Sequence, residues 1–449
     1  MIVMTDKIQH IAEYSDRSRE KSSVSSFLSD FGGLSVVKSF IPEIDYLDPD
    51  KKAAKNVFLT EKRFKVQREN LVRELQGWIT LLDCGKSSAS EFVDECKQEE
   101  SKYQNLLSEN VTKALVETRR LEISYRVLDS FFKNAGDGRV ENLRLINVHK
   151  ASVTDPNAEF AEDVDLLLRN AFDRLSLRDS YSLMVMPGYV FQDKPTLLQW
   201  ATIANKYKLL LVTDHADDMT FDDMLANTQD YRDSDQVLQN VVMTVNWIVG
   251  RNSEKLSDNE KFDPAFYIPP SGALAGKLYD ESFNIAQSAG GKKYGTLKAV
   301  KGVRLNLLKM EIVALLENQV VPMIFSEGRV MAFNNTTLYN GDNDALKEYP
   351  IVRVFDWVKK VLLNCVYEVA LENWETFISS DNLKSKIQNF LNQYQGYGNL
   401  FKKYDIKDPV QDPVTKRVSV EISLTPYYAT KNFLIKLAAD KHTKECITE

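Results

Sequence analysis

The sequence predicts a mixed α/β and α+β protein: a helical N-terminal region, a central sheet with flanking helices, and a C-terminal α+β domain ending in a hairpin. Three patterns carry this. Apolar residues recur every three or four positions from about 51 to 135, the period of an amphipathic helix. Short apolar runs then alternate with helical stretches from about 140 to 215, the signature of a largely parallel sheet with helices on its faces. Strict two-residue alternation returns at 417–424, as in a half-buried strand. The expected organisation is an arm over 1–50, a helical partner-binding region over 51–135, an α/β domain over 136–304 and a C-terminal α+β domain over 305–449.

The arm is rich in Ser and Asp and carries Gly32-Gly33 and Pro42; it reads either as a segment ordered by a partner or as a plain disordered tail. Leu71, Leu75, Trp78 and Leu82 then fall on one helix face. Gly85 ends that helix, and a second, starting at Glu91, carries Leu106, Leu107, Leu115, Leu121, Val127, Leu128, Phe131 and Phe132. Its charged faces are solvated, while an apolar face this long either packs at home or holds a partner helix. After Gly138 the expected order is a strand at 143–148, a helix at 161–175, a strand at 182–186, a helix at 196–207 and a strand at 209–213. A buried helix is expected at 236–249 and a loop region at 263–303. In the last third, helices are expected at 356–379 and 382–394. A link marked by Gly396, Gly398, Pro409 and Pro413 follows. Strand 417–424 comes next, with 432–437 expected as its partner.

Composition excludes several classes of function. A net charge of −7 offers no basic field for nucleic acid or an anionic membrane. The four cysteines form no Cys-x-x-Cys pair and are expected to be reduced thiols. The greasiest stretch, 305–325, is interrupted by Lys309, Glu311, Glu317 and Pro322, so no bilayer span is expected, and a cytoplasmic location fits.

Chemical motifs fail on spacing. A phosphate loop needs four residues between its glycines and a hydroxyl after the lysine; Gly272 and Gly276 enclose three, and Leu278 follows Lys277. Ser288 stands in a weakened nucleophile elbow, yet it leads into Gly290-Gly291 and only His442 lies beyond it. Asp214, His215, Asp217, Asp218, Asp222 and Asp223 are the best metal candidate. Carboxylates between a strand and a helix also complement the helix's first-turn dipole, and that is the reading taken. Lys292, Lys293, Lys298, Lys301 and Arg304 form a basic stretch around Tyr294, either a solvated loop or a face for an acidic partner. No catalytic residue, cofactor or metal is expected.

Several segments, in order, resemble the TssC/VipB-like large sheath subunit of type VI secretion, a family related to contractile phage tail sheaths. Residues 117–128 followed by 142–150 are similar to the family's helix-then-strand block, and 182–189 to the next one. Residues 268–276, Ile-Pro-Pro-Ser-Gly-Ala-Leu-Ala-Gly, resemble its Pro-Pro-Ser/Cys-Gly-x-x-Ala-Gly segment, and 295–303 its Gly-Val-x-Lys-Ala-Pro stretch. Residues 353–360 and 372–377 resemble the C-terminal sheath helix. Arg120-Leu121-Glu122 lacks the family's Trp and Gly, and Asn334-Asn335 replaces an Arg-Thr-Leu element, as in a diverged branch.

The resemblance implies a structural subunit that polymerises with a small sheath partner (TssB/VipA-like) and with copies of itself around an inner tube. It further implies a baseplate below, a disassembly ATPase as a further partner, and contraction that drives the tube out. A phage-tail-like or extracellular injection sheath and a non-polymerising adaptor are the alternatives, with a hydrolase or nucleotide-binding enzyme centred on 268–304 last. Such sheaths join protomers by sharing strands. Here that role falls to Arg417, Val418, Val420, Ile422, Leu424, Phe433, Ile435 and Leu437, and partner-helix packing to Leu71, Leu75, Trp78 and Leu82.

Overall fold

The computed structural model describes residues 34–48, 51–82, 89–136, 140–155, 159–172, 180–252, 254–255, 262–263, 266–280, 284–367, 382–412, 414–415, 418–429, 436–438 and 446–448. The chain divides into two compact units, 1–115 and 116–449. Among the described residues, no helix is long and apolar enough to cross a membrane.

The first unit is built from helices. Helix α1 (Leu34–Phe40) leads into a 3-10 turn (Pro42–Leu47), followed by α2 (Lys52–Thr60) and α3 (Lys65–Leu82). Val37, Ile41, Ile44, Phe58 and Leu71 make its buried core, with Leu75 and Trp78 packed against them. Tyr46 stacks on Phe58 at 5.1 Å, and Phe64 closes the aromatic group. Part of the predicted arm is therefore core-forming, because its apolar residues answer those of α3. Helix α4 (Ala89–Asn134) begins in this unit and ends in the next.

The second unit is organised on a five-stranded sheet. In chain order its elements are α5 (Glu159–Phe172), β1 (Leu183–Met186), α6 (Lys194–Lys206), β2 (Leu210–Asp214), α7 (Phe221–Thr228) and β3 (Val241–Val245). There follow the pair β4 (Ile248–Arg251) and β5 (Phe266–Ile268), then α8 (Ser271–Tyr279), α9 (Lys309–Glu317), β6 (Val321–Ser326) and β7 (Arg329–Ala332). The sheet order is β1-β2-β3-β6-β7, parallel except for the β6–β7 hairpin. Alternate residues serve opposite faces. Leu211, Val241, Met243 and Val245 meet Leu197 and Trp200 of α6 and Val164 and Leu168 of α5. Leu210, Val212 and Val242 meet Leu274 and Leu278 of α8 and Val127 of α4.

Four expectations are corrected. Residues 236–249 are not a helix: a 3-10 turn (Gln236–Asn240) feeds β3, the middle strand. Burial on both faces makes that strand apolar throughout and hides its two-residue period. The 263–303 region contains β5 and the largely buried α8 rather than loop alone. Residues 143–148 form no strand and carry no ladder partner among the described residues. The helix expected at 356–379 is α10 (Tyr349–Tyr367), and Trp374 lies outside the described residues.

Candidate functional site

The C-terminal part of the second unit is a small ribbon on a helical base. Helix α11 (Asn382–Tyr394) has an apolar face of Leu383, Ile387 and Leu391, and packs with Val354 and Val358 of α10 and with Phe401. On this base lie β8 (Lys403–Ile406), β9 (Val410–Gln411), β10 (Val418–Ser419) and β11 (Ile422–Thr425). Strand β8 pairs antiparallel with β11, Tyr404 opposite Leu424 and Ile406 opposite Ile422; further out, β9 pairs with β10. Val420, Ile422 and Leu424 point to the base, while Ser419, Glu421 and Ser423 are exposed. The alternation read from the sequence is thus the real orientation of these side chains. Val418, nearer the tip, is 37% exposed, and Val410 beside it 62%.

The partner of this strand differs from the expected one. It is 403–411, upstream, rather than 432–437, and Lys436–Ala438 instead pairs with Cys446–Thr448, with Leu437 opposite Ile447. The upstream segment escaped notice because Pro409 and its charged residues resemble a link. Arg417, Phe433 and Ile435 lie outside the described residues, as does the side chain of Leu437. The two glycines of the link form a braced turn. Gly396 and Gly398 take φ of +105° and +81°, Gly396 N donates to Phe401 O at 3.0 Å, and Tyr427 Oη donates to Gly396 O at 2.7 Å.

The ribbon leaves backbone edges open. Both strand pairs of the ribbon are two-stranded, so each has an outer edge on either side with no further strand among the described residues. A second edge lies on the central sheet, where β1 is terminal. Nearby, the 143–148 segment exposes Leu143, Leu145 and Ile146, and Asn142 and Arg144 line a cavity of about 540 Å³ that reaches Tyr181.

The predicted helix-packing residues stand in a different relation. Leu71, Leu75 and Trp78 are covered by the chain's own 37–47 segment; the side chain of Leu82 is outside the described set. A stripe that the sequence could not separate lies on α4 within the second unit. Val127 and Phe131 face inward, whereas Leu121, Tyr125, Leu128 and Phe132 are 72%, 66%, 36% and 46% exposed. Spacings of four, three and four place these on one side of the helix.

The residues that imitated chemistry prove to be braces. Gly272 and Gly276 are where α8 crosses α4: a Cβ at Gly272 would lie 2.8 Å from Val127 O, and one at Gly276 2.2 Å from Phe131 O. Asp214 is fully buried at the end of β2. Its Oδ1 accepts from Thr244 Oγ1 (2.5 Å) and Ser271 N (2.7 Å), and its Oδ2 from Ser271 Oγ (2.5 Å) and Gly188 N (2.8 Å). Burial pushes this carboxyl up to about 6 against the pull of those four donors. Its neighbours turn elsewhere: His215 Nδ1 meets Asp218 at 3.1 Å, Asp217 pairs with Arg304, and Asp222 and Asp223 occupy the first turn of α7 behind the Thr220 cap. Among the described residues no three His, Cys, Asp or Glu side chains converge as a metal site. Ser288 lies in the loop before Gly290, Lys292 pairs with Glu327 at 2.5 Å, and Arg304 lies 3.7 Å over the Tyr267 ring.

Comparison with known proteins gives three family matches in series. The TssC/VipB-like N-terminal region matches residues 21–111, the type VI secretion system TssC/VipB central domain 113–340, and the TssC/VipB-like C-terminal domain 348–448. No curated protein matches the sequence. Among solved structures, a chain of the anti-feeding prophage baseplate shares the fold at a TM-score of 0.51 and 14% identity, over 70% of this chain and 80% of that one. A chain of the contracted anti-feeding prophage sheath gives 0.47 at 13% identity, over 70% and 81%.

Proposed function

Given that the chain belongs to the TssC/VipB family of the type VI secretion system and is a contractile-sheath subunit, we propose that it assembles by lending backbone strands to its neighbours. The observation that carries this is the C-terminal ribbon, 403–411 against 418–425, anchored on one face and open along its edges. Each open edge is a row of amide donors and carbonyl acceptors that an extended segment of a second copy satisfies by strand addition. The donated segment in this reading is 430–449, carrying Phe433, Ile435 and Leu437. The receiving strand is the one with Arg417, Val418, Val420, Ile422 and Leu424. Contacts of this kind run head to tail and do not close, so they build an open helical tube. Contraction is then a change in subunit packing while the shared strands hold neighbours together.

Four partners follow. The small sheath subunit lays an apolar helix on Leu121, Tyr125, Leu128 and Phe132. The inner tube runs within the finished sheath, which stands on a baseplate, with an ATPase recycling the subunits, all in the cytoplasm. The role is structural rather than catalytic.

Deleting residues 430–449 tests strand lending. The ribbon and its base stay in the chain, so the truncated protein keeps its circular dichroism spectrum and melts within about 3 °C of the full chain. Co-expressed with the small partner, it gives no tubes in negative-stain images. Full-length tubes from the truncated chain rule the mechanism out.

A further inference from the structure

Among the described residues of the second unit, one cavity gathers three cations around a single carboxylate. It lies in the second unit, between α10 and the starts of β1 and β2, and measures about 210 Å³. Its wall includes Arg353, Asp356, Trp357 and Lys360, which share a face of α10, with Ser182 and Lys208 across from them. Cations on a core-facing side of a helix are costly unless something neutralises them.

Within the chain, little does. Arg353 Nη2 donates to Leu278 O at 2.8 Å, but Nη1 is buried with no hydrogen-bond partner. Lys360, 8% exposed, donates to Tyr181 O at 2.6 Å, a carbonyl that carries no charge. Lys208, held at a left-handed φ of 55°, reaches only Asn205 Oδ1, at 3.4 Å. The single carboxylate on the wall, Asp356, accepts from Asn240 Nδ2 at 2.6 Å. Among the described residues Asp356 makes no close ion pair with the three cations, and its charge acts on Lys208 and Lys360 from a distance. Three cations against one carboxylate leave two positive charges in excess. Burial pushes Lys360 down to about 8, against the pull of Asp356, and Arg353 down to about 10.

We propose that this cavity binds a phosphate group, with Arg353 Nη1, Lys360 and Lys208 as its donors. A phosphate dianion matches the excess charge, and its oxygens suit a guanidinium edge with two ammonium groups beside it. The volume admits the group itself and a few atoms more. Inorganic phosphate and the phosphate end of a small metabolite therefore share this chemistry. No contact of the sheath assembly is needed for it, so the site is independent of strand lending.

The test uses the full-length chain in thermal unfolding and titration calorimetry. Inorganic phosphate and glycerol phosphate are compared, each against chloride at the same ionic strength. Phosphate raises the melting temperature by about 2 °C or more over chloride. Protection by inorganic phosphate alone identifies the free ion as the ligand; equal protection by glycerol phosphate identifies a phosphate monoester. Lys360→Met weakens binding at least tenfold, yet without phosphate it melts no lower than wild type, because it deletes an unpaired buried charge. A purely structural lysine, lost from its bond to Tyr181, would lower that melting point instead. Lys208→Met, at a partly exposed position, repeats the test should Lys360→Met fail to fold. Equal protection by chloride, or full phosphate binding by both lysine variants, overturns the proposal.

Discussion

Asp214 shows how one side chain can hold a fold while imitating a site. Four donors from three separate segments converge on its two oxygens, tying the end of β1, strand β3 and the start of α8 to β2. Asp214→Asn keeps the shape but turns one oxygen into a donor. Ser271 Oγ can rotate to accept, but the Gly188 N–H, or its equivalent on the other oxygen, is left facing an amide. One orphaned donor costs about 1–3 kcal/mol, measured by urea unfolding at pH 7. The pH dependence has a definite sign. The folded carboxyl titrates at about 6, above its unfolded value of 3.8, so between those values the folded state binds more protons. The stability this group contributes is present below about pH 4 and is lost as pH rises through 6, about 3 kcal/mol in all. The stability of wild type relative to Asp214→Asn therefore falls across that window, and a flat difference contradicts the assignment. From sequence alone the carboxylates at 214, 217, 218, 222 and 223 looked like one cluster. Only the strand end at Asp214, which turns that side chain into the interior, separates the brace from the cap and the ion pairs.

At the scale of elements, α4 and α8 cross backbone against backbone. Gly276 lets the helices approach until a methyl would meet the Phe131 carbonyl. Backbone cannot move aside as a side chain can, so Gly276→Ala costs about 3 kcal/mol, the upper end for overpacking, read as a lower urea midpoint. Gly272 and Gly276 were legible as a pair, but spacing alone could not say whether they cradle a ligand or a helix. The βα alternation from 182 to 213 was legible because its strands and helices differ in period, and the 417–424 strand because one face is wet. Strand β3 was not, since Val-Val-Met-Thr-Val is buried on both sides and its neighbours in space are distant in sequence. The partner of 418–425 is hidden in the sequence for a related reason. Hydrogen bonds between backbones leave no mark on composition, so the nearer apolar run, 432–437, drew the pairing.

For the whole molecule, the surfaces left over after folding define what it assembles with. Leu121, Tyr125, Leu128 and Phe132 form an apolar stripe beside inward-facing Val127 and Phe131. Sequence periodicity merged the two sets, because together they cover most of the helix circumference. The double variant Leu121→Asp with Leu128→Asp leaves the fold intact, since both side chains are exposed, with melting unchanged within about 2 °C. It no longer co-purifies with the small sheath subunit and forms no tubes; retention of the partner at wild-type yield places the contact elsewhere.

The open ribbon has one more effect. A row of free amides and carbonyls is indifferent to sequence, since every polypeptide offers the same complement. Choice of neighbour must then come from what flanks the row: Lys403, Asp405, Lys407 and Glu421, all exposed, with Lys407 already matched to Glu421 at 2.9 Å. In the proposed strand lending, these charges would act as a filter, admitting a strand whose signs fit and turning away stray chains before the generic bonds form.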